Sequence, residues 1–300
     1  MNDAFTRNAA GTRMGTSALI GVLLAGLAGC SDEADDGSTA TCSQDNEIRT
    51  VEVPEVPQQG SVTIRDVIDT SLDDTQNPRD LRQNRIQAAF GTVTATAGAP
   101  ALIELGRNCA GVVSRPQLGM TNVEAAGTLS VMGLADGPLT IEANASDVYS
   151  QVGTPQLTGA EAQLMVGAAG DVFGAFSTSI DAVEPLGLES PAVDGTGLLE
   201  TGELRFQWNG ANADYVEIRL APITDDPLVS GGQVICQVAD DGCYDLPASA
   251  TSFLLSSNTT TFSLSVQRIN AAVVTPDANT AVRVSVVTEV RATLQNGVGR

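Results

Sequence analysis

An all-β fold of two antiparallel β-sandwich-like domains is what the sequence predicts, and three observations predict it. From residue 91 onward, apolar and polar residues alternate with period two in run after run. Turn-forming Asp-Gly, Pro and Gly residues separate those runs. Each run also carries one apolar and one polar face, the pattern of antiparallel strands with one side buried and one side wet.

In chain order, Val62 and Ile64 mark a short first strand. Asn77-Pro78 then reads as a cap followed by proline at the first helical position, so a short helix is expected to carry Leu81, Arg82, Arg85, Ile86 and Ala89. Leu129 and Val131 alternate with Thr128 and Ser130; Leu139, Ile141 and Ala143 alternate with Thr140, Glu142 and Asn144. Asp136-Gly137 between them is a hairpin signal. Ala162, Leu164 and Val166 fit a strand, while Thr158 and Glu161 fit a capping box, so a helix there stays open. Residues 171–181 read as a strand bearing Phe173 and Phe176. The Pro- and Gly-marked passage Glu184-Pro185-Leu186-Gly187 to Pro191-Ala192-Val193-Asp194-Gly195 places the domain boundary, with domain 1 over 61–185 and domain 2 over 186–300.

Alternation is cleaner in the second half. Leu204, Phe206 and Trp208 oppose Glu203, Arg205 and Gln207; Val216, Ile218 and Leu220 oppose Tyr215, Glu217 and Arg219; Phe262, Leu264 and Val266 oppose Ser263, Ser265 and Gln267. The last strand sets Val282, Val284, Val286, Val290 and Leu294 against Arg283, Ser285, Glu289 and Arg291. A short helix is expected to start at Pro247 and run through Phe253 to Leu255.

The N-terminus carries a different signal. A polar segment with Arg7 and Arg13 precedes the apolar run Ala18–Ala28, which ends in Leu27-Ala28-Gly29-Cys30. Small residues before a cysteine at the end of a short apolar segment form a lipobox, so 1–29 reads as a signal peptide and Cys30 as the lipidated residue. The run is far shorter than the ~20 residues that span a bilayer. It passes directly into Ser31-Asp32-Glu33-Ala34-Asp35-Asp36, which cannot join a core. Residues 30–60 therefore read as the lipidated cysteine and an acidic flexible tether. By resemblance to characterised bacterial lipoproteins, Ser31 directly after the cysteine favours the outer membrane. The membrane, reached through the lipid on Cys30, is the first expected partner.

Composition narrows the chemistry. The chain has 15 basic and 36 acidic residues and a net charge of −21. Removal of 1–29 takes away Asp3, Arg7 and Arg13 and moves the charge of −21 to −22. Such a chain repels nucleic acid. It contains no His, and every basic residue is Arg, which does not deprotonate near neutral pH. Triads, Cys-His pairs, Schiff bases and His-based zinc sites are thereby excluded, leaving only carboxylate chemistry. No catalytic residue, metal site or cofactor is assigned. Aromatic residues are scarce at 4%, which argues against a lectin built on stacking platforms.

Cys42, Cys109, Cys236 and Cys243 follow Cys30, an even number suited to two disulfides in an oxidising space. The turn-rich spacer between Cys236 and Cys243 favours a local bridge across a hairpin, leaving Cys42 and Cys109 as the second pair.

Leu204-Arg205-Phe206-Gln207-Trp208, Asp214-Tyr215-Val216-Glu217-Ile218, Val234-Ile235-Cys236, Asp241-Gly242-Cys243, Leu246-Pro247 and Val266-Gln267-Arg268 carry a resemblance. They are similar to the immunoglobulin- or fibronectin-III-like C-terminal domain of exported two-domain lipoproteins abundant in myxobacteria. With the lipobox and the β-rich first half, the resemblance extends over most of the chain. It implies a fold and an envelope address, and its loose motifs specify no activity.

Other motifs read blandly. Ile68-Asp69-Thr70-Ser71 resembles an aspartic-protease loop, but that chemistry needs a second aspartate, and a polar turn fits better. Asp32, Asp35, Asp36 and Gly37 fail the EF-hand pattern at Ala34 and Ser43. Asp240-Asp241-Gly242 reads as the tip of a hairpin, Trp208 as core, and Arg268 as a residue pairing with a buried carboxylate or passing the core edge. The expected function is that of a membrane-anchored envelope lipoprotein serving as a non-enzymatic binding or structural module, with an envelope protein or polymer as partner; the alternative is a carboxylate-dependent hydrolase of a wall or extracellular polysaccharide.

Overall fold

The computed structural model describes residue 42 and residues 52–70, 81–93, 101–114, 120–153, 157, 162–193, 197–211, 213–223, 232–257 and 259–297. Leu27, Ala28, Gly29 and Cys30, the Asp32–Gly37 stretch, Asn77-Pro78, Thr158 and Glu161 lie outside the described residues.

In the first half, the strands are β1 (Gln58–Asp69), β2 (Leu81–Val93), β3 (Ala101–Gly106), β4 (Cys109–Ser114), β5 (Met120–Val123), β6 (Leu129–Met132), β7 (Leu139–Ile141), β8 (Tyr149–Val152), β9 (Gln163–Ala168) and β10 (Phe176–Asp181). The second half supplies β11 (Leu188–Ser190), β12 (Leu198–Leu199), β13 (Leu204–Trp208), β14 (Tyr215–Pro222), β15 (Gln233–Val238), β16 (Cys243–Leu246), the helix α1 (Ala248–Leu255), β17 (Thr261–Asp277) and β18 (Thr280–Asn296). The all-β class holds.

One 11-stranded sheet spans the chain in the order β3-β4-β15-β14-β17-β18-β1-β2-β5, with β8 on β2 and β12 on β18. Two smaller sheets, β10-β9-β6-β7 and β11-β13-β16, complete the described architecture. Most pairings are antiparallel, but β1 and β12 run parallel to β18. Strands β17 and β18, each 17 residues long, extend along the whole sheet. Their even-numbered residues serve two cores in succession. Val282, Val284 and Val286 pack with β1, β2 and the four-stranded sheet. Val290, Ala292 and Leu294 pack with β13–β16 and α1.

The first core centres on Phe90, whose ring meets Tyr149, Phe173 and Phe176 at centroid distances of 5.6, 4.9 and 5.6 Å. Gly60 makes room for it, because a Cβ there would stand 2.4 Å from Phe90 Cδ1. The buried Tyr149 hydroxyl donates to Gly127 O at 2.6 Å and accepts from Ala126 N at 2.8 Å. The expected β6–β7 hairpin forms, with Gly137 at φ +96° in its turn, a conformation that glycine adopts without a Cβ penalty. Leu164 and Val166 lie on a strand, which resolves the open alternative at β9.

The helix expected after Asn77-Pro78 is replaced by β2 over its described part. Asn84, Ile86, Ala88 and Phe90 are buried while Gln83, Arg85 and Gln87 are exposed, a period of two. Full-length pairing with β1 supplies the backbone hydrogen bonds that a lone short helix would have to make by itself. Helix α1 forms where expected, with Pro247 as its N-cap.

The disulfide pairing is the second correction. All four cysteines are bridged, but as Cys42–Cys243 and Cys109–Cys236. Cys236 sits within β15 directly opposite Cys109 of β4. Cys243 opens β16, which belongs to a different sheet. The spacer between Cys236 and Cys243 is therefore a corner between two sheets, not a hairpin. Cys42, expected within the flexible tether, is fastened to the second core instead. Two disulfides fit an exported chain, since such bridges persist in oxidising compartments. Among the described residues, no helix is long and apolar enough to cross a membrane.

The start of the boundary passage, Glu184-Pro185, and the adjoining end of β10 cross the waist between the two cores. Arg268 Nη1 reaches the carbonyls of Glu184 and Pro185 at 3.3 and 3.1 Å, and Thr288 Oγ1 donates to Glu184 O at 3.0 Å. Asn270 Nδ2 donates to Asp181 O at 3.1 Å.

Candidate functional site

The odd-numbered residues of β1, β18, β17 and β14 project from the face of the large sheet opposite both cores. Strand alternation dictates this, because each apolar even-numbered residue sends its neighbours to the other side. Register then builds the site. Glu289 of β18 stands beside Gln267 of β17, which stands beside Glu217 of β14, and Gln237 of β15 follows. Two residues further along, on the same face, lie Arg291, Ser265 and Arg219, while Arg65 arrives from β1.

Glu289 is almost fully buried although, among the described residues, no sheet covers its face; its side chain is 2% exposed. Arg65 and Arg291, 30% and 40% exposed, lie over it. Arg65 Nη1 reaches Glu289 Oε2 at 3.0 Å, and Arg291 donates through Nε at 2.8 Å and Nη2 at 3.3 Å. Ser265 Oγ donates at 2.7 Å, itself accepting from Gln267 Nε2 at 3.0 Å. Burial pushes the Glu289 carboxyl up, but hydrogen bonds from Arg291 and Ser265 and the charges of Arg65 and Arg291 outweigh it and hold the group below the usual carboxylate range. The hydrogen bond to Glu289 conversely raises the Arg291 guanidinium.

Glu217 repeats the arrangement on a smaller scale. Arg219 Nε donates to Oε1, and Gln237 Nε2 donates to Oε2 at 3.1 Å. Nearby, Tyr215, Ile269 and Val287 form a small buried apolar patch on the same face, and Arg283 Nη2 donates to the Tyr215 hydroxyl at 2.9 Å. Over Glu289 and toward Ser263 and Thr293 lies a groove of about 280 Å³, lined chiefly by Arg65, Arg219, Arg291, Ser263, Gln267 and Thr293.

Sequence reading assigned Glu217, Arg219, Glu289 and Arg291 to polar strand faces without joining them. A usable signal was present in the repeated Glu-aliphatic-Arg triplets Glu217-Ile218-Arg219 and Glu289-Val290-Arg291. Spacing of two places both charges on one side of a strand, yet only register shows that the triplets share a face.

The residues singled out from sequence fall elsewhere. Trp208 is 3% exposed in the second core, and its Nε1 donates to Asp240 Oδ1 at 2.9 Å. Asp240, expected at a hairpin tip, is buried at the waist, because the corner after β15 turns inward to meet Arg268. Arg268 is wholly buried and pairs with that carboxylate, as one of its two sequence readings anticipates. Its Nη2 donates to Asp240 Oδ1 at 3.1 Å and also to Asn209 O; its Nε lies 2.9 Å from Oδ2, at ion-pair distance but off hydrogen-bond alignment. Thr70 of the Asp69-Thr70-Ser71 motif bonds the Arg291 carbonyl through both its amide and its hydroxyl, at 2.9 and 2.7 Å. Ser71 lies outside the described residues. Among the described residues, no group of three or more acidic, Cys or His side chains gathers to hold a metal.

No protein-family model matches the chain, and no curated protein matches it. Two solved structures are similar at 12% identity over 77% of this chain. One was described in work on host cell surface retention of a 1.5-MDa bacterial ice-binding adhesin, with a TM-score of 0.17 and 65% of that structure covered. The other is a Ca²⁺-stabilised adhesin of an Antarctic bacterium, with a TM-score of 0.18 and 48% covered. The chain thus spans less than two thirds of either structure. At these TM-scores neither likeness carries an argument about this chain.

Proposed function

We propose that this chain is an exported, lipid-anchored binding module of the bacterial envelope, and that the charged face of its large sheet is the recognition surface. The state of Glu289 is the observation that carries the reading. With His and Lys missing from the sequence, carboxylates are the main groups left for acid–base chemistry near neutral pH. A glycosidase acid needs a raised pKa. Glu289 is held in the opposite direction, with both oxygens engaged by arginines. Glu217 lies two strands away, roughly 9–10 Å between backbones, and it too is engaged, by Arg219 and Gln237. Both carboxylates are therefore already engaged by their neighbours, and neither stands unencumbered toward a glycosidic bond. What remains is a firm, pre-arranged polar surface on a rigid sheet, which suits binding.

Anchoring at Cys30 and an outer-membrane address remain part of this proposal and rest on the lipobox and Ser31. The test is photo-crosslinking in intact cells from a reactive residue at Ser263, beside the groove. One reproducible envelope partner, lost when the reactive residue is moved to exposed Val172 on the first core's side, is expected. Turnover of a wall polysaccharide by the purified chain, abolished by Glu289→Gln, would overturn the reading.

A further inference from the structure

Among the described residues, this sheet face carries more arginines than carboxylates, in a chain with net charge −21. Arg65, Arg85, Arg219, Arg283 and Arg291 lie there on β1, β2, β14 and β18, against Asp69, Glu104, Glu217 and Glu289. Arg65 and Arg85 are direct cross-strand partners in the antiparallel β1–β2 pair. Like charges in that relation destabilise a sheet. Arg85 is exposed and finds no carboxylate among the described residues. A further anion between them would remove the repulsion.

The guanidinium groups also keep donors in reserve. Arg65 uses Nη1 on Glu289, Arg291 uses Nε and Nη2, and Arg219 uses Nε on Glu217. Arg65 Nε and Nη2, Arg291 Nη1 and both Nη atoms of Arg219 have no acceptor among the described residues. A planar fork of this kind matches a carboxylate, and the fit is bidentate. Around the arginines, Ser263, Gln267 and Thr293 add hydroxyl and amide groups, and no aromatic side chain lines the groove.

We propose that this groove, lined by Arg65, Arg219 and Arg291 and flanked on the next strand by Arg85 opposite Arg65, binds the carboxylate groups of an acidic polysaccharide through these four arginines. The proposal rests on reading this face as the recognition surface. Several features favour a sugar acid. A volume of about 280 Å³ suits a sugar ring. The hydroxyl and amide lining matches ring hydroxyls. Charge recognition also needs no stacking platform, consistent with the scarcity of aromatics. A repeating carboxylate along a polymer would meet the Arg65–Arg85 pair and Arg219 in turn.

Native electrophoresis of the purified chain through gels containing polygalacturonate, with dextran as the uncharged control, tests this. Polygalacturonate should retard the protein, dextran should not, and the retardation should weaken as salt is raised. Arg85→Gln, which removes an exposed side chain holding up no buried group, should bind about tenfold more weakly while melting like the parent. Arg65→Gln should lose at least as much, with Arg65→Lys recovering part of the loss. The inference is overturned if the folded chain ignores polygalacturonate, if Arg85→Gln and Arg65→Gln bind like the parent, or if millimolar inorganic phosphate displaces the polymer outright, which would reassign the site to phosphate-bearing ligands. If polygalacturonate fails while crosslinking from Ser263 still captures an envelope partner, the inference falls and the binding-module reading stands. If both fail, the reading falls too.

Discussion

Asp240→Asn should be among the most damaging isosteric changes possible in this protein. Asp240 and Arg268 are 1% and 0% exposed at the waist, so neither charge can be compensated by water. The substitution keeps the side-chain volume and an oxygen for Trp208 Nε1, but it leaves a buried guanidinium with carbonyl partners only. Removing one partner of a buried ion pair costs about 3–5 kcal/mol. At roughly 2–4 °C per kcal/mol for a domain of this size, the melting temperature should fall by roughly 6–20 °C. Trp208 is the single tryptophan and bonds Asp240 directly, so its fluorescence during thermal melting reports the change at its source. The double variant Asp240→Asn with Arg268→Met should be more stable than Asp240→Asn alone, because no buried charge is then left over. A melting temperature for Asp240→Asn within 2 °C of the parent, or a double variant less stable than the single one, would refute the argument that charge compensation holds the waist.

Three other outcomes are expected. Glu289 has a folded-state pKa below its ordinary value, so its ionised form adds stability above the normal carboxylate range and loses that contribution as pH falls through the folded value. Glu289→Gln should therefore destabilise at pH 7, with the gap to the parent shrinking as pH is lowered through the acid range, as read by urea denaturation across a pH series. Non-reducing proteolysis with mass spectrometry should recover Cys42–Cys243 and Cys109–Cys236. Their separations of 201 and 127 residues are long, and loss of either bridge should cost on the order of 2–5 kcal/mol in chemical denaturation. In the bacterial cell, a labelled fatty acid should be incorporated into the chain, and Cys30→Ser should abolish that labelling.

Much of the strand content was legible because alternation with period two is a local property. Leu204-Arg205-Phe206-Gln207-Trp208 and the long Val282–Leu294 pattern each declare a strand and its buried face without reference to any neighbour. β2 was misread because its buried positions include the polar Asn84, which blurs the alternation, and because Leu81, Arg85, Ile86 and Ala89 also satisfy helical spacing. Pairing with β1 decided between the two periods. The candidate site was only half legible. Each Glu-aliphatic-Arg triplet is visible, but the meeting of β1, β14, β17 and β18 that joins Arg65 to Glu289 depends on strand order across 224 residues of separation.

By itself, the sequence determined the chemistry available to this protein. Without His or Lys it cannot carry most catalytic systems; its cysteines suit an oxidising compartment; its alternating strands require sheets. Those are properties of composition and of near neighbours, and they survive any arrangement of the chain. Tertiary structure alone decided which cysteines meet, where Asp240 goes and which arginines surround Glu289. The physical reason is that pairing follows from register between strands distant in sequence. β15 and β16 are adjacent in the chain but belong to different sheets, so Cys236 meets Cys109 across a ladder and leaves Cys243 to fasten Cys42.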